Sequence, residues 1–257
     1  MLDLLPILVS LASLLIILVN IYNKAFENNK PTCKDYILNT YLYIVLGIIL
    51  ITIMCLVNDK GQILISPLSL GLSTFISFIL LIVIWIALMA GIYFLPPKYY
   101  GLIHILWVAA MYFLASIFYP MYKIGQELNV LIPSVLVTIA VVLTVSLIGY
   151  YKGDIFNFDL KKYLRYALIA LIIGEILAYN FINDMNTLMN VTIVFAILGI
   201  IIFGLFLLAH TKDLKKRSEE CVNANYPKES VKFIVSIINI ISDVIRILAI
   251  SKMKRRR

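Results

Sequence analysis

The sequence predicts an all-α, polytopic membrane helix bundle: seven spans plus a semi-polar C-terminal helix that is either buried in the bundle or re-enters it. Three observations carry this reading. Of 257 residues, 62% are hydrophobic and 14% charged, whereas a soluble domain carries about a quarter charged residues. Seven apolar stretches each reach the roughly 20 residues that a bilayer-spanning helix needs. Tyrosines such as Tyr22, Tyr36, Tyr99, Tyr150 and Tyr163 gather at the ends of these stretches, where an amphipathic ring gains most at the headgroup boundary.

The stretches run from Leu4 to Tyr22, Tyr36 to Val57, Ser73 to Leu95, Leu102 to Met121, Leu131 to Tyr151, Tyr163 to Ile182 and Leu188 to Ala209. The first lacks the positive leader of a signal peptide and has too long an apolar run, so it reads as an uncleaved span. Turn-formers and charges separate the stretches, among them Lys30-Pro31, Asn58-Asp59-Lys60-Gly61, Pro96-Pro97-Lys98, Gly125-Gln126-Glu127, Lys152-Gly153-Asp154 and Asn183-Asp184. The connections are short, so neighbouring helices run antiparallel.

The eighth segment, Ser230 to Ile250, is interrupted by Lys232, Ser236, Asn239, Asp243 and Arg246. Those spacings alternate between four and three and draw one narrow polar stripe down an apolar cylinder. An interfacial helix would have a wide face rich in Lys and Arg. A helix with protein along its stripe is expected instead, and a re-entrant course is open to it, because irregular backbone is tolerated at membrane depth when protein surrounds it.

Orientation is read from the basic residues of the loops. The odd loops hold thirteen: Lys24, Lys30 and Lys34; Lys98; Lys152, Lys161, Lys162 and Arg165; and five from Lys212 to Lys228. The even loops hold Lys60 and Lys123. The odd loops are therefore expected in the cytoplasm and the N-terminus on the far side. The tail, with five basic residues from Lys252 to Arg257, is expected in the cytoplasm too, the eighth segment either entering and returning or leaving its C-terminal end at that face.

The net charge of +8 falls between apolar runs without interleaved stacking aromatics, which argues against a nucleic-acid partner. Cys33, Cys55 and Cys221 are odd in number and far apart, so neither a disulfide framework nor a metal pair is drawn from them. Two histidines make no three-ligand zinc site without carboxylates, and no P-loop, nucleophile elbow or dinucleotide fingerprint occurs. No cofactor, no metal and no enzymatic activity are expected. Gly149-Tyr-Tyr-Lys-Gly153 spells a single small-xxx-small pattern. Asn190-Val-Thr192 is a glycosylation sequon set hard against the seventh span.

The last third carries a family likeness. Phe203-Gly-Leu-Phe-Leu-Leu-Ala-His-Thr-Lys212, a basic loop ending Lys-Arg-Ser-Glu-Glu, and Ser230-Val-Lys-Phe-Ile-Val-Ser-Ile-Ile-Asn-Ile-Ile241 resemble the transmembrane Bax inhibitor motif family. Its Tyr-Asp-Thr-Gln motif closes the penultimate helix, and its Leu-Asp-Ile-Ile-Asn motif lies in the last. Lys34-Asp-Tyr-Ile-Leu-Asn-Thr-Tyr-Leu-Tyr-Ile-Val-Leu-Gly47 resembles the family's opening helix. The resemblance divides the chain into an extra span and loop (1–33), a Bax-inhibitor-like domain (34–250) and a basic tail (251–257). It implies a function in cell-death control and calcium homeostasis of the endoplasmic reticulum or Golgi, with the bilayer, membrane proteins of cell-death regulation, and calcium or protons as partners. In the family two aspartates of the last two helices share a proton and gate a cation leak. Their positions here are His210 and Ser236, so the resemblance implies a divergent member without that sensor.

The remaining candidates for an ion or proton pathway are Glu175, Asn239, Asp243 and Arg246. Glu175 lies in the middle of the sixth span, where an ionised carboxylate costs about 2.5–3.5 kcal/mol on insertion scales. It needs protonation or a partner, and Arg246, Lys232 and His210 are the candidates. Asp243 either pairs with Arg246 one turn on or faces a neighbouring helix. His104, opening the fourth span, is expected at the interface, and His210, beside Lys212 and Lys215, is expected neutral. Two other classes stay open: a small channel or transporter using Glu175, Asp243 and Arg246, and a non-conducting scaffold whose basic loop and tail recruit a partner or anionic lipid.

Overall fold

In the computed structural model, residues 5–27, 30–61, 74–153 and 160–255 are described. They form α1 (Leu5–Ala25), α2 (Tyr36–Gly61), α3 (Thr74–Phe94), α4 (Tyr100–Glu127), α5 (Leu131–Lys152), α6 (Leu160–Phe181), α7 (Met185–Glu219) and α8 (Tyr226–Arg255). A two-residue hairpin, β1 (Phe26–Glu27) with β2 (Lys30–Pro31), follows α1 and pairs Phe26 with Pro31. The helical bundle expected of the apolar runs is therefore present. The Asn58–Gly61 turn is instead the last turn of α2, and the Lys152–Asp154 turn lies partly outside the described residues.

Six helices among the described residues are long and apolar enough to cross a membrane: α2, α4 with the short turn before it, α5, α6, α7 and α8. α1 and α3 are helices of 21 residues each, but their described apolar parts, Leu15–Ala25 and Ile79–Phe94, are shorter. Five of these six helices coincide with expected stretches, and the semi-polar segment is the sixth.

Of the two courses open to that segment, buried in the bundle or re-entrant, the structure shows the first. α8 is one unbroken helix of 30 residues, about 45 Å at 1.5 Å per residue, so it does not re-enter. It begins at Tyr226, four residues earlier than expected, because the loop supplies a helix start. Asn225 Oδ1 accepts from Lys228 N at 3.1 Å, and Pro227 sits in the first turn, where an N–H is not needed. No residue from Tyr226 to Met253 is exposed. Burial of about half of its apolar window in protein is what makes the polar stripe tolerable. α6, by contrast, buries only 6% of its apolar window and offers the lipid its isoleucines and tyrosines.

The chain packs as two compact units. The first comprises Met1–Pro120 and Arg217–Ile234, the second Met121–Lys216 and Val235–Arg257. In the first, Trp107, Tyr43, Tyr226 and Phe233 are almost wholly buried. Their polar ends are satisfied, as burial requires: Trp107 Nε1 donates to Ser230 Oγ at 3.1 Å, and Tyr226 donates its hydroxyl to Thr32 O. His104 is half-buried and lies inside this network. Its Nδ1 is 2.6 Å from the Tyr100 carbonyl, which only accepts, so Nδ1 carries the proton and Nε2 accepts from Tyr43 Oη at 2.7 Å.

Cys33 and Cys221 form a disulfide in this unit, joining the segment before α2 to the α7–α8 loop. The sequence reading drew no disulfide because 188 residues separate the two. The fold removes that distance by returning the seventh loop to the first.

In the second unit α4 ends at Glu127 in a left-handed cap. Asn129 has φ 50°, Asn129 N bonds Gln126 O at 2.9 Å, and Val130 N bonds Gly125 O at 2.8 Å. This Schellman pattern suits asparagine, which tolerates positive φ. It places the turn two residues beyond the predicted Gly125-Gln126-Glu127. The small-xxx-small pattern of α5 is used: a Cβ at Gly149 would lie 2.8 Å from Leu208 O, and one at Gly153 would lie 3.1 Å from Lys212 Cβ. Both glycines let α5 lie close to α7.

Candidate intramembrane charge site

The second unit brings Glu175 of α6, Gly199 of α7, and Asp243 and Arg246 of α8 to one place. Residues three apart on a helix share a face, so Asp243 and Arg246 project together. Arg246 Nη1 donates to Glu175 Oε1 at 2.5 Å and lies 3.6 Å from Asp243 Oδ1. The Asp243 side chain is 11% exposed, and those of Glu175 and Arg246 are 26% exposed. The carboxylate of Asp243 occupies the space left by Gly199, where a Cβ would collide with Oδ2. Two carboxylates therefore share one guanidinium, the one cationic group that stays charged at any working pH.

Of the three candidate partners for Glu175, the structure selects Arg246. Lys232 is committed elsewhere, donating to Glu229 Oε2 at 2.9 Å. The His210 ring stacks on Phe206 with centroids 6.0 Å apart. For Asp243 both alternatives hold at once, since it approaches Arg246 on its own helix and α7 through Gly199. Ser236 is buried, and Asn239 donates to its own helix at Val235 O, at 2.8 Å. The polar stripe of α8 carries the groups just named. It divides into a pair near the start of α8, a local hydrogen bond in the middle and the three-charge cluster near the end.

Two polar groupings in the first unit were not anticipated. The carboxylate of Glu229, 5% exposed, accepts from Arg217 as well as Lys232. A cavity of about 280 Å³ opens beside it, with Arg217, Lys228, Glu220 and Glu229 in its wall; its charges balance and select neither sign of ligand. The other grouping centres on Asn39, which is fully buried and donates to Lys34 O at 2.8 Å and Lys24 O at 3.3 Å. The available signal was Asn225-Tyr-Pro-Lys-Glu229, a helix start with an acidic residue in its first turn. Asn39 carries no comparable signal, because its partners are two backbone carbonyls and, at 3.3 Å, the hydroxyl of Tyr226, which is 187 residues away.

Outside the spans, Asp184 caps α7. Its Oδ2 accepts from Thr187 N at 2.7 Å and from Thr187 Oγ1 at 2.6 Å, and these bonds hold its carboxyl below the usual range. Among the described residues, no group of three or more His, Cys, Asp or Glu side chains is placed to hold a metal ion.

The comparisons with known proteins agree with this architecture. No curated protein matches the chain significantly. The family model described as inhibitor of apoptosis-promoting Bax1 matches residues 33–253, leaving α1 outside and taking in α2 to nearly the whole of α8. With so much of its length matched, the chain belongs to the Bax inhibitor family.

Proposed function

We propose that this protein is a Bax-inhibitor-type, non-enzymatic protein of an endomembrane, endoplasmic reticulum or Golgi, that modulates cell death and luminal calcium. In this reading its intramembrane interior is closed by the Glu175–Arg246–Asp243 cluster in place of the family's proton-sharing aspartates, and its basic tail is cytoplasmic. Its effect runs through helix contacts with membrane proteins of cell-death regulation more than through ion flux. The observation that supports this is the single guanidinium of Arg246 within reach of both carboxylates. A fixed cation among two anions opposes the entry of a second cation and lowers the cost of burying the carboxylates.

The test is calcium efflux from vesicles containing the purified protein, compared with His210→Asp combined with Ser236→Asp. The unmodified protein is expected to leak slowly and the double variant to leak faster, with efflux falling on acidification. Equal, fast and acid-sensitive efflux from both would refute the reading.

A further inference from the structure

The Cys33–Cys221 bond links the segment before α2 to the α7–α8 loop, and three features set it apart from a structural staple. The first is that the fold holds the same two segments together without it. Tyr226, at the start of α8, donates its hydroxyl to Thr32 O and packs its ring against that of Tyr36, with centroids 5.5 Å apart. Asn39 Nδ2 donates to Lys34 O and, at 3.3 Å, to the Tyr226 hydroxyl. A covalent bond supported in this way can open without unfolding the chain.

The second feature is access. Cys33 and Cys221 are half-buried, whereas Cys55 is fully buried. Cys221 also stands in the wall of the cavity of about 280 Å³, beside Val222 and Asn223, which are exposed. Thiol–disulfide exchange requires an incoming sulfur to reach one sulfur of the bond, and the cavity offers that approach to Cys221. The third feature is charge. Arg217 and Lys228 line the cavity together with Glu220 and Glu229, and Lys34 follows Cys33 in the chain. Cations near a sulfur favour the thiolate that leaves when the bond opens. The mixed signs of the wall suit a small thiol that itself carries an ammonium group and carboxylates. Both segments also belong to the basic loops expected in the cytoplasm, where thiols are kept reduced and a disulfide that does form is usually transient, catalytic or redox-sensing.

We infer that Cys33 and Cys221 form a reversible exchange site for a low-molecular-weight zwitterionic thiol, entered through Cys221, which ties down or frees the α7–α8 loop according to redox state. The thiolate of the first incoming molecule attacks Cys221 Sγ and forms a mixed disulfide. Cys33 leaves as a thiolate and takes up the proton that the incoming thiol gave up. A second thiol attacks the small molecule's sulfur in the mixed disulfide and releases Cys221. Two thiols are thereby oxidised to one disulfide while the protein's bond is reduced to two thiols, and the same steps in reverse close it. The inference is independent of the function proposed above, since neither calcium flux nor the Glu175–Arg246–Asp243 cluster enters it.

The experiment uses the full chain with Cys55→Ser, purified in detergent without reductant, and glutathione as the probe. A maleimide of high mass reports each free thiol as a gel shift, and thermal unfolding reports the fold. No shift is expected before glutathione and two after it, with the unfolding transition retained, and glutathione disulfide should return the protein to no shift. Two shifts without glutathione would overturn the bond. Shifts that never appear, or appear only with denaturant, would overturn the exchange, and loss of the unfolding transition on opening would make the bond a staple. The point of entry is read from Cys33→Ser and Cys221→Ser in the same background, each given glutathione disulfide and assayed for the adduct by mass spectrometry. Cys221 is expected to be modified several-fold faster than Cys33, and equal rates or the reverse order would overturn entry through Cys221. Mercaptoethanol, a neutral thiol, should open the bond several-fold more slowly than glutathione at equal thiolate concentration, and equal rates would overturn selection of a zwitterion.

Discussion

The carboxylate of Asp243 rests against the bare Cα of Gly199, so that α7 and α8 approach where a charged side chain lies inside the protein. Any side chain at 199 has to displace that carboxylate and with it the geometry toward Arg246. Gly199→Ala is expected to cost about 1–3 kcal/mol, the range for overpacking a filled site. Asp243→Ala in the same chain should return part of the loss. Thermal unfolding in detergent measures both, and a Gly199→Ala protein as stable as the parent would contradict the packing.

Arg246 serves two carboxylates, which predicts an asymmetry between its loss and theirs. Arg246→Gln leaves Glu175 and Asp243 without their cation and should cost about 3–5 kcal/mol, as for a broken buried pair. Glu175→Gln leaves Arg246 with Asp243 and should cost about 1–2 kcal/mol, near that of a charge-assisted hydrogen bond. Combining the two should cost less than the sum, since the neutral pair leaves one carboxylate fewer to bury. A double-mutant cycle on unfolding reads the coupling, and strict additivity would dissolve the pair.

The cap at the start of α7 carries a pH dependence of defined sign. Thr187 holds the Asp184 carboxylate in its ionised form, so the native carboxyl titrates below the unfolded one. The cap's contribution is therefore complete above the unfolded value and is lost as pH falls through the native one. Asp184→Asn keeps an acceptor for Thr187 N and should flatten this acid dependence. Amide hydrogen exchange at residues 187 and 188 follows it directly, and equal exchange in parent and variant on acidification would count against the cap.

Much of the fold was legible in the residues. Apolar length gave every helix, and the alternation of four and three from Lys232 to Arg246 gave α8 its polar stripe. The stripe also pointed to the Glu175–Arg246 pair, because a mid-span carboxylate and a guanidinium on a buried face have few other solutions. What the residues left open has a common cause. The Cys33–Cys221 bond joins side chains 188 positions apart, Asn39 bonds backbone carbonyls and a distant tyrosine, and Asp243 is seated on a residue with no side chain, and none of these leaves a periodic trace. The re-entrant course failed for a different reason. The polar stripe and the tail's charges leave room for it, whereas α8 runs its whole length without a break.

We propose that Arg246, held between Glu175 and Asp243, keeps the interior closed without a proton-sharing aspartate pair. Calcium efflux from vesicles carrying either the unmodified protein or Arg246→Gln, each at neutral and at mildly acidic pH, tests it most directly. Slow efflux that acidification leaves unchanged is expected from the unmodified protein, and efflux several-fold faster from Arg246→Gln, because two uncompensated carboxylates then attract the cation. Fast, acid-inhibited efflux from the unmodified protein, or no gain on removing Arg246, would contradict it.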